Sequence, residues 1–301
     1  MSKVLLIYGG YSAEREVSIN SKDDISAALS SKGHTVIEHN LQDVWHLLEV
    51  IKKEKPDVVY NGLYGNWGED GELQGFLDML QIPYTHSGLR ASALGMNKNL
   101  CKLIAAQNGV KVAQGEVTTF AKFMQNGTKI PYPYVIKPVS DGSSVGVFII
   151  NTADELKNVS YPDKNVEILI ERFIAGRELT AMCLNGKSSV VTELKPKVGF
   201  YDYKAKYTTG ATEHVLPAPI PEDIKQTCLK YAEIMHQALG CNTLSRSDFR
   251  YNEKDGVVFL EINTAPGMTS LSLVPEQAKY IGISYADLCD TLVKNATYRR
   301  R

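Results

Sequence analysis

The stretch Arg246-Ser-Asp-Phe-Arg-Tyr-Asn-Glu-Lys-Asp-Gly-Val-Val-Phe-Leu-Glu-Ile-Asn263 contains two runs that are typical of strands, with polar residues between them. These polar residues end in a glycine, which suits the tight turn of a hairpin. Side chains two residues apart point to the same face of a strand, so Arg246 shares a face with Asp248, and Glu261 shares one with Asn263. Folding at the turn therefore predicts that the two pairs of side chains lie together.

This cluster of polar side chains has the chemistry of a metal site. Two carboxylates and an amide oxygen are hard ligands, which suit magnesium held together with substrate phosphates. Arg246 beside them would stabilise negative charge on a transferring phosphoryl group or on a tetrahedral oxyanion. An exposed hairpin with a surface ion pair fits the same spacing, so the hairpin alone leaves both interpretations open.

The first third of the chain alternates β-rich runs with helical patterns, which is typical of a parallel α/β sheet. The β-rich runs are Val4 to Tyr8, Thr35 to Glu38 and Val58 to Tyr60, with a helix from about Ser18 after the first. Ligands of such sheets bind beyond the carboxyl ends of the strands, and glycine-containing loops at 9–12 and 65–68 follow two of the strands. We expect both loops to line a site.

The rest of the chain has a different pattern. After a helical stretch from Ala91 to about Asn108, closely spaced strands predict an antiparallel α+β unit; they are Tyr134 to Lys137, Val145 to Ile150, Val166 to Phe173 and Leu179 to Leu184. The last third contains an amphipathic helix with Gly240 as its stop. Its apolar stripe consists of Ile224, Cys228, Tyr231, Met235 and Ala238.

One loop has the composition of a phosphate-binding segment. Asp141-Gly-Ser-Ser-Val-Gly146 follows a strand that ends near Lys137. Its glycines allow backbone amides to approach phosphate oxygens, although most such loops are plain turns. The tripeptide Gly186-Lys-Ser188 is not part of a Walker A loop, because Ala181 stands where that motif requires glycine. We expect this tripeptide to form a β-turn.

The segment from Phe200 to Gly210 is polar, aromatic and long for a connection, which is typical of a lid. Lys206 and Tyr207 would reach a site when such a lid closes. A solvated loop whose tyrosines cover a core edge is the alternative interpretation.

Composition narrows the classes of function. The 301 residues, 44% apolar and 22% charged, are enough for two or three compact units. A formal net charge of -1 gives no general attraction to polyanions, so nucleic acid is not an expected partner. The scattered cysteines lack the spacing of a zinc site. The apolar run at 4–8 is too short for a signal peptide, and no segment approaches the roughly 20 apolar residues of a membrane helix, so we expect a cytoplasmic protein without a membrane partner.

Several motifs follow one another in an order that matches a known family. They are Gly9 to Ser18, Gly68 to Gly75, Ile82 to Gly88, Lys137 to Gly146, Tyr201 to Tyr207, and Glu261 to Pro275. With these motifs the chain resembles the D-alanine-D-alanine ligases of the ATP-grasp superfamily nearly end to end. The resemblance implies an α/β and α+β fold, in which an amino-terminal parallel α/β domain (1–95) precedes a two-part ATP-grasp fold. The central subdomain would span 96–184, and the carboxy-terminal subdomain, with the lid and the metal site, 185–301.

The resemblance also implies roles for individual residues. The residues expected to bind ATP are Lys98, Lys137, Gly142, Ser143, Ser144, Gly146, Glu171, Phe173, Ile174, Glu178 and Lys206. Those expected to bind two magnesium ions, which manganese is able to replace, are Asp248, Glu261 and Asn263. Those expected to bind D-alanine are Glu14, Tyr64, Arg246, Gly267, Ser272 and Leu273. Glu14, Ser143 and Tyr207 resemble a hydrogen-bonded triad that ties the lid to the amino-terminal domain, and Arg246 and the Gly267 amide resemble an oxyanion hole.

The implied reaction joins two D-alanine molecules through an acyl phosphate, to supply peptidoglycan precursors, in a homodimeric enzyme. A lid that excludes water is required, because an acyl phosphate otherwise hydrolyses. Two positions depart from the family pattern: Tyr64 stands where histidine is usual, and Asn97 where an acidic residue is usual. Formation of D-alanyl-D-lactate and a catalytically degenerate nucleotide-binding homologue are the alternatives. Tyr207 argues against the former, and the retained set around Arg246 against the latter.

Overall fold

The computed structural model describes residues 1–142, 145–197, 211–269 and 272–299. The amino-terminal unit is built on a parallel sheet in the order β2-β1-β3, formed by β1 (Lys3–Gly9), β2 (Thr35–Leu41) and β3 (Val58–Asn61). The helices α1 (Arg15–Ser31) and α2 (Val44–Glu54) connect these strands. This arrangement confirms the predicted alternation of strands and helices.

Three further helices lead from this sheet to the next unit: α3 (Glu72–Leu80), α4 (Leu89–Met96) and α5 (Lys98–Gln107). The helical stretch predicted as continuous is thus interrupted at Asn97. The side chain of Asn97 accepts a hydrogen bond from the Leu100 backbone N–H at 3.0 Å, so it caps the start of α5. The departure from the family pattern at this position is therefore a feature of a helix start.

An antiparallel four-stranded sheet in the order β4-β7-β5-β6 follows. Its strands are β4 (Gly115–Thr119), β5 (Tyr134–Pro138), β6 (Phe148–Ile150) and β7 (Glu167–Arg172). Helix α6 (Phe120–Asn126) covers it, and Phe120, Ile136 and Ile170 lie in their common core.

A five-stranded sheet forms the third unit, in the order β10-β9-β8-β11-β12. Its strands are β8 (Arg177–Leu184), β9 (Thr192–Pro196), β10 (Thr212–Val215), β11 (Leu244–Asn252) and β12 (Gly256–Asn263). Three further helices are described in this part of the chain: α7 (Glu222–Leu239), α8 (Leu273–Tyr280) and α9 (Tyr285–Lys294). Helix α7 packs four residues of its predicted stripe, Ile224, Cys228, Tyr231 and Met235, on the sheet, whereas Leu239 rather than Ala238 completes this core. The helix ends at Gly240, with φ of 70°. The Gly186 tripeptide forms the predicted tight turn between Leu184 and Lys187, which exchange backbone hydrogen bonds.

Strand pairing bears on the expected domain boundary at 184. Strand β8 pairs with both β9 and β11, so it belongs to the five-stranded sheet rather than to the central one. We therefore propose that the central subdomain ends at the connection 173–176, between β7 and β8.

The amino-terminal sheet shares its core with the end of the described chain. Val4 and Leu6 of β1 lie in one cluster with Val274 of α8 and with Leu288 and Leu292 of α9. After α9, Thr297 exchanges backbone hydrogen bonds with Tyr84. None of the helices in the described ranges is long and apolar enough to cross a membrane.

Candidate active site

The hairpin of β11 and β12 brings the predicted polar pairs together. The strand register sets Arg246 opposite Asn263 and Asp248 opposite Glu261, and residues opposite each other share a face of the sheet. An irregularity follows Asp248, after which Phe249 is paired with Phe259 on the buried face. The alternation read from the sequence is therefore confirmed.

Asp248 is buried and is held by several donors. Arg246 donates from Nε to Oδ1 at 2.9 Å and from Nη2 to Oδ2 at 2.8 Å, which is a bidentate ion pair. Thr180 Oγ1 donates to Oδ1 at 2.6 Å, and Asn263 Nδ2 donates to Oδ2 at 3.2 Å. These bonds fix the direction of the carboxylate, because bidentate arginine pairs are geometrically specific.

The same side chains provide the hard oxygen ligands that magnesium prefers. Asp248 and Glu261 supply carboxylates, and Asn263 supplies an amide whose oxygen and nitrogen are distinguished only by their hydrogen-bond partners. Among the residues described, no group of three or more His, Cys, Asp and Glu side chains gathers as a metal cluster. The set of Asp248, Glu261 and Asn263 contains only two such side chains, because an asparagine is not counted among them. Its three oxygen donors still fit magnesium.

A buried charge cluster lies on the central sheet. The Glu171 carboxylate pairs with Lys137 Nζ at 2.5 Å through one oxygen and with Lys102 Nζ through the other. Burial alone would raise the pKa of Glu171, but the two lysines outweigh it and hold the pKa below its ordinary value. Burial lowers the pKa of Lys102, whereas Glu171 more than offsets burial at Lys137 and raises its pKa.

Lys102 was not predicted. It lies one helical turn after Lys98 on α5, so the two lysines share a face of that helix. This four-residue spacing is the signal that the sequence contained. Lys98 Nζ itself donates to the carbonyl of Asp141, in the loop expected to bind phosphate.

A cavity of about 650 Å³ lies between the central and the five-stranded sheets, a size typical of ligand sites. It brings together most of the residues predicted for ATP and two of those predicted for metal. These lining residues are Lys98, Lys137, Gly142, Glu171, Phe173, Ile174, Glu178, Asp248 and Glu261. Gly146 supports the loop from behind, since its carbonyl accepts a hydrogen bond from Tyr161 Oη at 2.6 Å.

Arg250, which lines the cavity, is a second residue that the sequence reasoning missed. Its Nη1 donates to Glu178 Oε2 at 2.9 Å, its Nε donates to the carbonyl of Ile174 at 3.1 Å, and its guanidinium carbon lies 5.9 Å from the centroid of the Phe173 ring. Arg250 follows Asp248 by two residues on β11, so the strand alternation that located Asp248 also placed Arg250 on this face.

Glu14 lies where the amino-terminal unit meets the phosphate loop. A Cβ added to Gly65 would lie 3.0 Å from Glu14 Oε2, and one added to Gly142 would lie 3.4 Å from the same atom. Glu69 lies in the motif Gly68 to Gly75 and has no assigned role, and its carboxyl interacts with that of Glu14. Burial raises its pKa well above the ordinary value, Glu14 and Glu261 add to this, and Arg246 opposes it.

The loop after β12 carries the residues expected to bind the second substrate. Ser272 Oγ lies 2.7 Å from Thr269 Oγ1 and accepts the Thr269 N–H at 3.1 Å. The Leu273 side chain is buried against Leu194, so only its backbone, at the start of α8, faces this loop. Gly267 lies beside Ser272, because an added Cβ there would be 3.1 Å from Ser272 Oγ.

Tyr64 is buried beneath this loop. Its hydroxyl donates to Ser21 Oγ at 3.1 Å and accepts the Met268 backbone N–H at 3.0 Å. Burial raises the pKa of Tyr64 to about 12, so its hydroxyl stays neutral across the physiological range. The predictions for Ser143, Ser144, Lys206 and Tyr207, and the lid as a whole, fall outside the described residues.

Solved structures with this arrangement define the class of the protein. A D-alanine–D-alanine ligase from Bacillus anthracis, solved in complex with ATP, matches with a TM-score of 0.81 at 31% identity over 97% of this chain and 96% of that chain. The VanG D-Ala:D-Ser ligase from Enterococcus faecalis matches with a TM-score of 0.80 at 27% identity over 97% and 98% of the two chains. The fold is that of an ATP-dependent ligase of the ATP-grasp class.

Sequence comparison narrows this class. A D-alanine–D-alanine ligase of Gluconobacter oxydans is 46% identical over 99% of this chain and 100% of its own length. One of Erythrobacter litoralis is 44% identical over 97% and 93%. The family described as D-ala D-ala ligase C-terminus matches residues 104–294. The chain belongs to the D-alanine–D-alanine ligase family.

Proposed function

We propose that the protein uses ATP to join two molecules of D-alanine into D-alanyl-D-alanine, a precursor of peptidoglycan. The observation that carries the proposal is the convergence of Arg246 with Asp248 and Glu261 beside a nucleotide-sized cavity that Lys137 lines. A protein that only binds nucleotide has no need of an arginine held rigidly beside the metal-ligand set.

Phosphate and base binding share one cavity between the two sheets. We assign the phosphates to Lys98, Lys137 and the backbone of Gly142, which line one wall of the cavity. Glu171, Phe173, Ile174 and Glu178 line the same cavity, and we assign them to adenine and ribose. Arg250 adds support, because it holds both the Ile174 carbonyl and the Glu178 carboxylate. By family resemblance, Ser143, Ser144, Gly146 and Lys206 complete the set.

Magnesium would be held by Asp248, Glu261 and Asn263. When bound, it supplies charge neutralisation between the phosphates of ATP. The protein itself contributes fixed ligand directions, because Thr180 and Arg246 hold Asp248 and strand pairing holds Glu261 opposite it.

In the proposed reaction, a carboxylate oxygen of the first D-alanine attacks the γ-phosphorus of ATP, and ADP leaves with the electron pair of the broken bond. The amine of the second D-alanine then attacks the acyl carbon, loses a proton, and displaces inorganic phosphate. Glu14 is assigned to the ammonium of the first substrate. Arg246 and the Gly267 N–H are assigned to the negative charge of the tetrahedral intermediate, and Ser272 and the Leu273 backbone to the carboxylate of the second substrate.

The second substrate is the point at which family members differ, since one structural relative is named a D-Ala:D-Ser ligase. We propose D-alanine rather than D-serine as the second substrate, because curated relatives at 42% to 46% identity are named D-alanine–D-alanine ligases. The attacking group is then an amine rather than the hydroxyl of D-lactate. The family resemblance further implies a cytoplasmic location and a homodimer. Sedimentation velocity tests the oligomeric state.

The direct test incubates the protein with ATP, magnesium and D-alanine and measures released phosphate and dipeptide by mass spectrometry. D-Serine, D-lactate and L-alanine are offered singly as second substrates. We expect one D-alanyl-D-alanine per phosphate. Ester product from D-lactate in preference to dipeptide, or phosphate that does not depend on D-alanine, would refute the proposal.

A further inference from the structure

The hydroxyls of two tyrosines, the buried Tyr64 and the partly buried Tyr285, hold the backbone of a single residue in the second-substrate loop. Tyr64 Oη accepts the Met268 N–H at 3.0 Å. Tyr285 Oη, from helix α9, donates to the Met268 carbonyl at 2.5 Å. The Met268 side chain is itself buried in the core that joins the amino-terminal sheet to α8 and α9.

These two bonds fix two successive peptide planes. The Met268 N–H belongs to the same planar unit as the Gly267 carbonyl, and the Met268 carbonyl belongs to the same unit as the Thr269 N–H. With both planes held, the backbone torsion angles of Met268 are fixed. The direction of the backbone from Gly267 to Thr269 is fixed as well, and Thr269 in turn contacts the Ser272 hydroxyl.

We propose that Tyr64 and Tyr285 are a pair of positioning residues that fix the Gly267 Cα, which carries the oxyanion amide, and so set its distance from the carboxylate site at Ser272. The proposal rests on the function assigned above, because it takes the roles of Gly267 and Ser272 from there. In this arrangement both hydroxyls are bonded to groups of the protein itself. Tyr64 acts from the amino-terminal unit, where its hydroxyl is anchored by Ser21 of α1, and Tyr285 acts from α9.

The pair explains what a tyrosine does at a position where the family usually has histidine. A hydroxyl accepts one hydrogen bond and donates another at the same time, and Tyr64 does so to Met268 and to Ser21. A neutral imidazole accepts at one nitrogen and donates at the other, in directions set by its ring. The tyrosine therefore keeps its support of the loop unchanged with pH, whereas histidine titrates near neutrality.

The test removes each hydroxyl with Tyr64→Phe, Tyr285→Phe and the double variant. Tyr60→Phe is the matched control, because Tyr60 is buried in the same core but directs its hydroxyl to Cys289 Sγ at 3.9 Å rather than to the loop. We expect the KM for the second D-alanine to rise about tenfold or more in each single variant, with the KM for ATP within about twofold of wild type. The double variant should lose less than the product of the two single effects, because both hydroxyls hold the same residue.

Hydrogen–deuterium exchange of the peptide containing Met268 gives a readout that does not depend on turnover. We expect faster exchange in Tyr64→Phe and Tyr285→Phe, and wild-type exchange in Tyr60→Phe. Unchanged exchange in the first two, or equal acceleration in all three, overturns the positioning proposal. The two proposals can fail separately. If the three variants show the expected differences in exchange but the wild-type protein makes no dipeptide, the proposed function is refuted and the positioning of the loop stays supported.

Discussion

At the residue scale, the effect of a substitution at the buried cluster depends on which charge it removes. Glu171→Gln leaves Lys102 and Lys137 buried without a carboxylate between them, whereas Lys102→Met leaves a neutral ion pair. We expect Glu171→Gln to lower the free energy of unfolding by about 3 kcal/mol or more, and Lys102→Met by clearly less, because an unpaired buried charge costs more than a removed one. Urea unfolding of both variants checks the order, and equal losses would contradict it.

Lys102→Met should nevertheless weaken ATP binding. With Lys102 gone, both oxygens of Glu171 are available to Lys137, which draws this lysine away from the phosphates. We expect the KM for ATP to rise several-fold while the KM for D-alanine stays near the wild-type value. An unchanged KM for ATP would show that Lys102 serves stability alone.

Glu261→Gln tests the metal assignment. A neutral amide cannot replace a carboxylate that neutralises bound magnesium, so we expect turnover to fall by at least about a hundredfold while the thermal midpoint stays near wild type. Glu253→Gln, an exposed exchange in the turn of the same hairpin, is the control and should keep full activity. Near-normal phosphate release by Glu261→Gln would remove this residue from the metal site.

His86 gives a pH dependence that is separate from catalysis. Burial lowers its pKa to about 4, and within the described residues its Nε2 finds no partner. As the pH falls, the unfolded chain therefore binds a proton at His86 before the folded protein does. The contribution of neutral His86 to the free energy of unfolding is complete above about pH 6.5, and up to about 3 kcal/mol of it is lost as the pH falls toward 4. In the variant His86→Asn, whose asparagine suits the positive φ of 67°, we expect the free energy of unfolding to change less between pH 6.5 and 4 than in the wild type. Parallel pH profiles would exclude His86 as the cause.

At the element scale, the sequence predicted those features that depend on neighbours along the chain. The hairpin was predicted, because a period of two and one turn determine which side chains of β11 and β12 meet. Helix α7 and its stop at Gly240 were predicted for the same reason. The membership of β8 in the five-stranded sheet was not, since it depends on pairing with β11, more than sixty residues away. Lys102, Arg250 and Tyr285 were missed likewise, because their partners lie on other elements.

The connection between β7 and β8 depends on a glycine. Gly176 has φ of 109°, and a Cβ there would lie 2.3 Å from the Tyr251 carbonyl oxygen. Gly186 has φ of 77° and nothing within 4 Å of an added Cβ, so it is a matched control that carries only backbone strain. We expect Gly176→Ala to lower the free energy of unfolding by about 2 kcal/mol more than Gly186→Ala, and to weaken ATP binding because Gly176 lines the cavity. Equal effects in the two variants would contradict the close approach.

At the scale of the whole molecule, the amino-terminal sheet and helix α9 form one cooperative core. Leu288 is fully buried in it, so we expect Leu288→Ala to lower the free energy of unfolding by about 2–5 kcal/mol. Both tryptophans, Trp45 and Trp67, lie in the amino-terminal unit, and Trp67 packs on the other face of its sheet. The tryptophan fluorescence transition should therefore shift as far as the far-UV circular dichroism transition. Leu103→Ala, at an exposed position, should move neither, and a fluorescence transition unmoved by Leu288→Ala would show separate units.

This shared core also sets an order of events during synthesis. The face of β1 that carries Val4 and Leu6 emerges from the ribosome early, while its cover, Leu288 and Leu292 on α9, emerges late. At ordinary translation speeds of roughly 5–20 residues per second the interval is on the order of tens of seconds. Through that time Ile25 and Leu29 of α1 cover only part of this apolar sheet face, which makes its first strands a target for ribosome-associated chaperones.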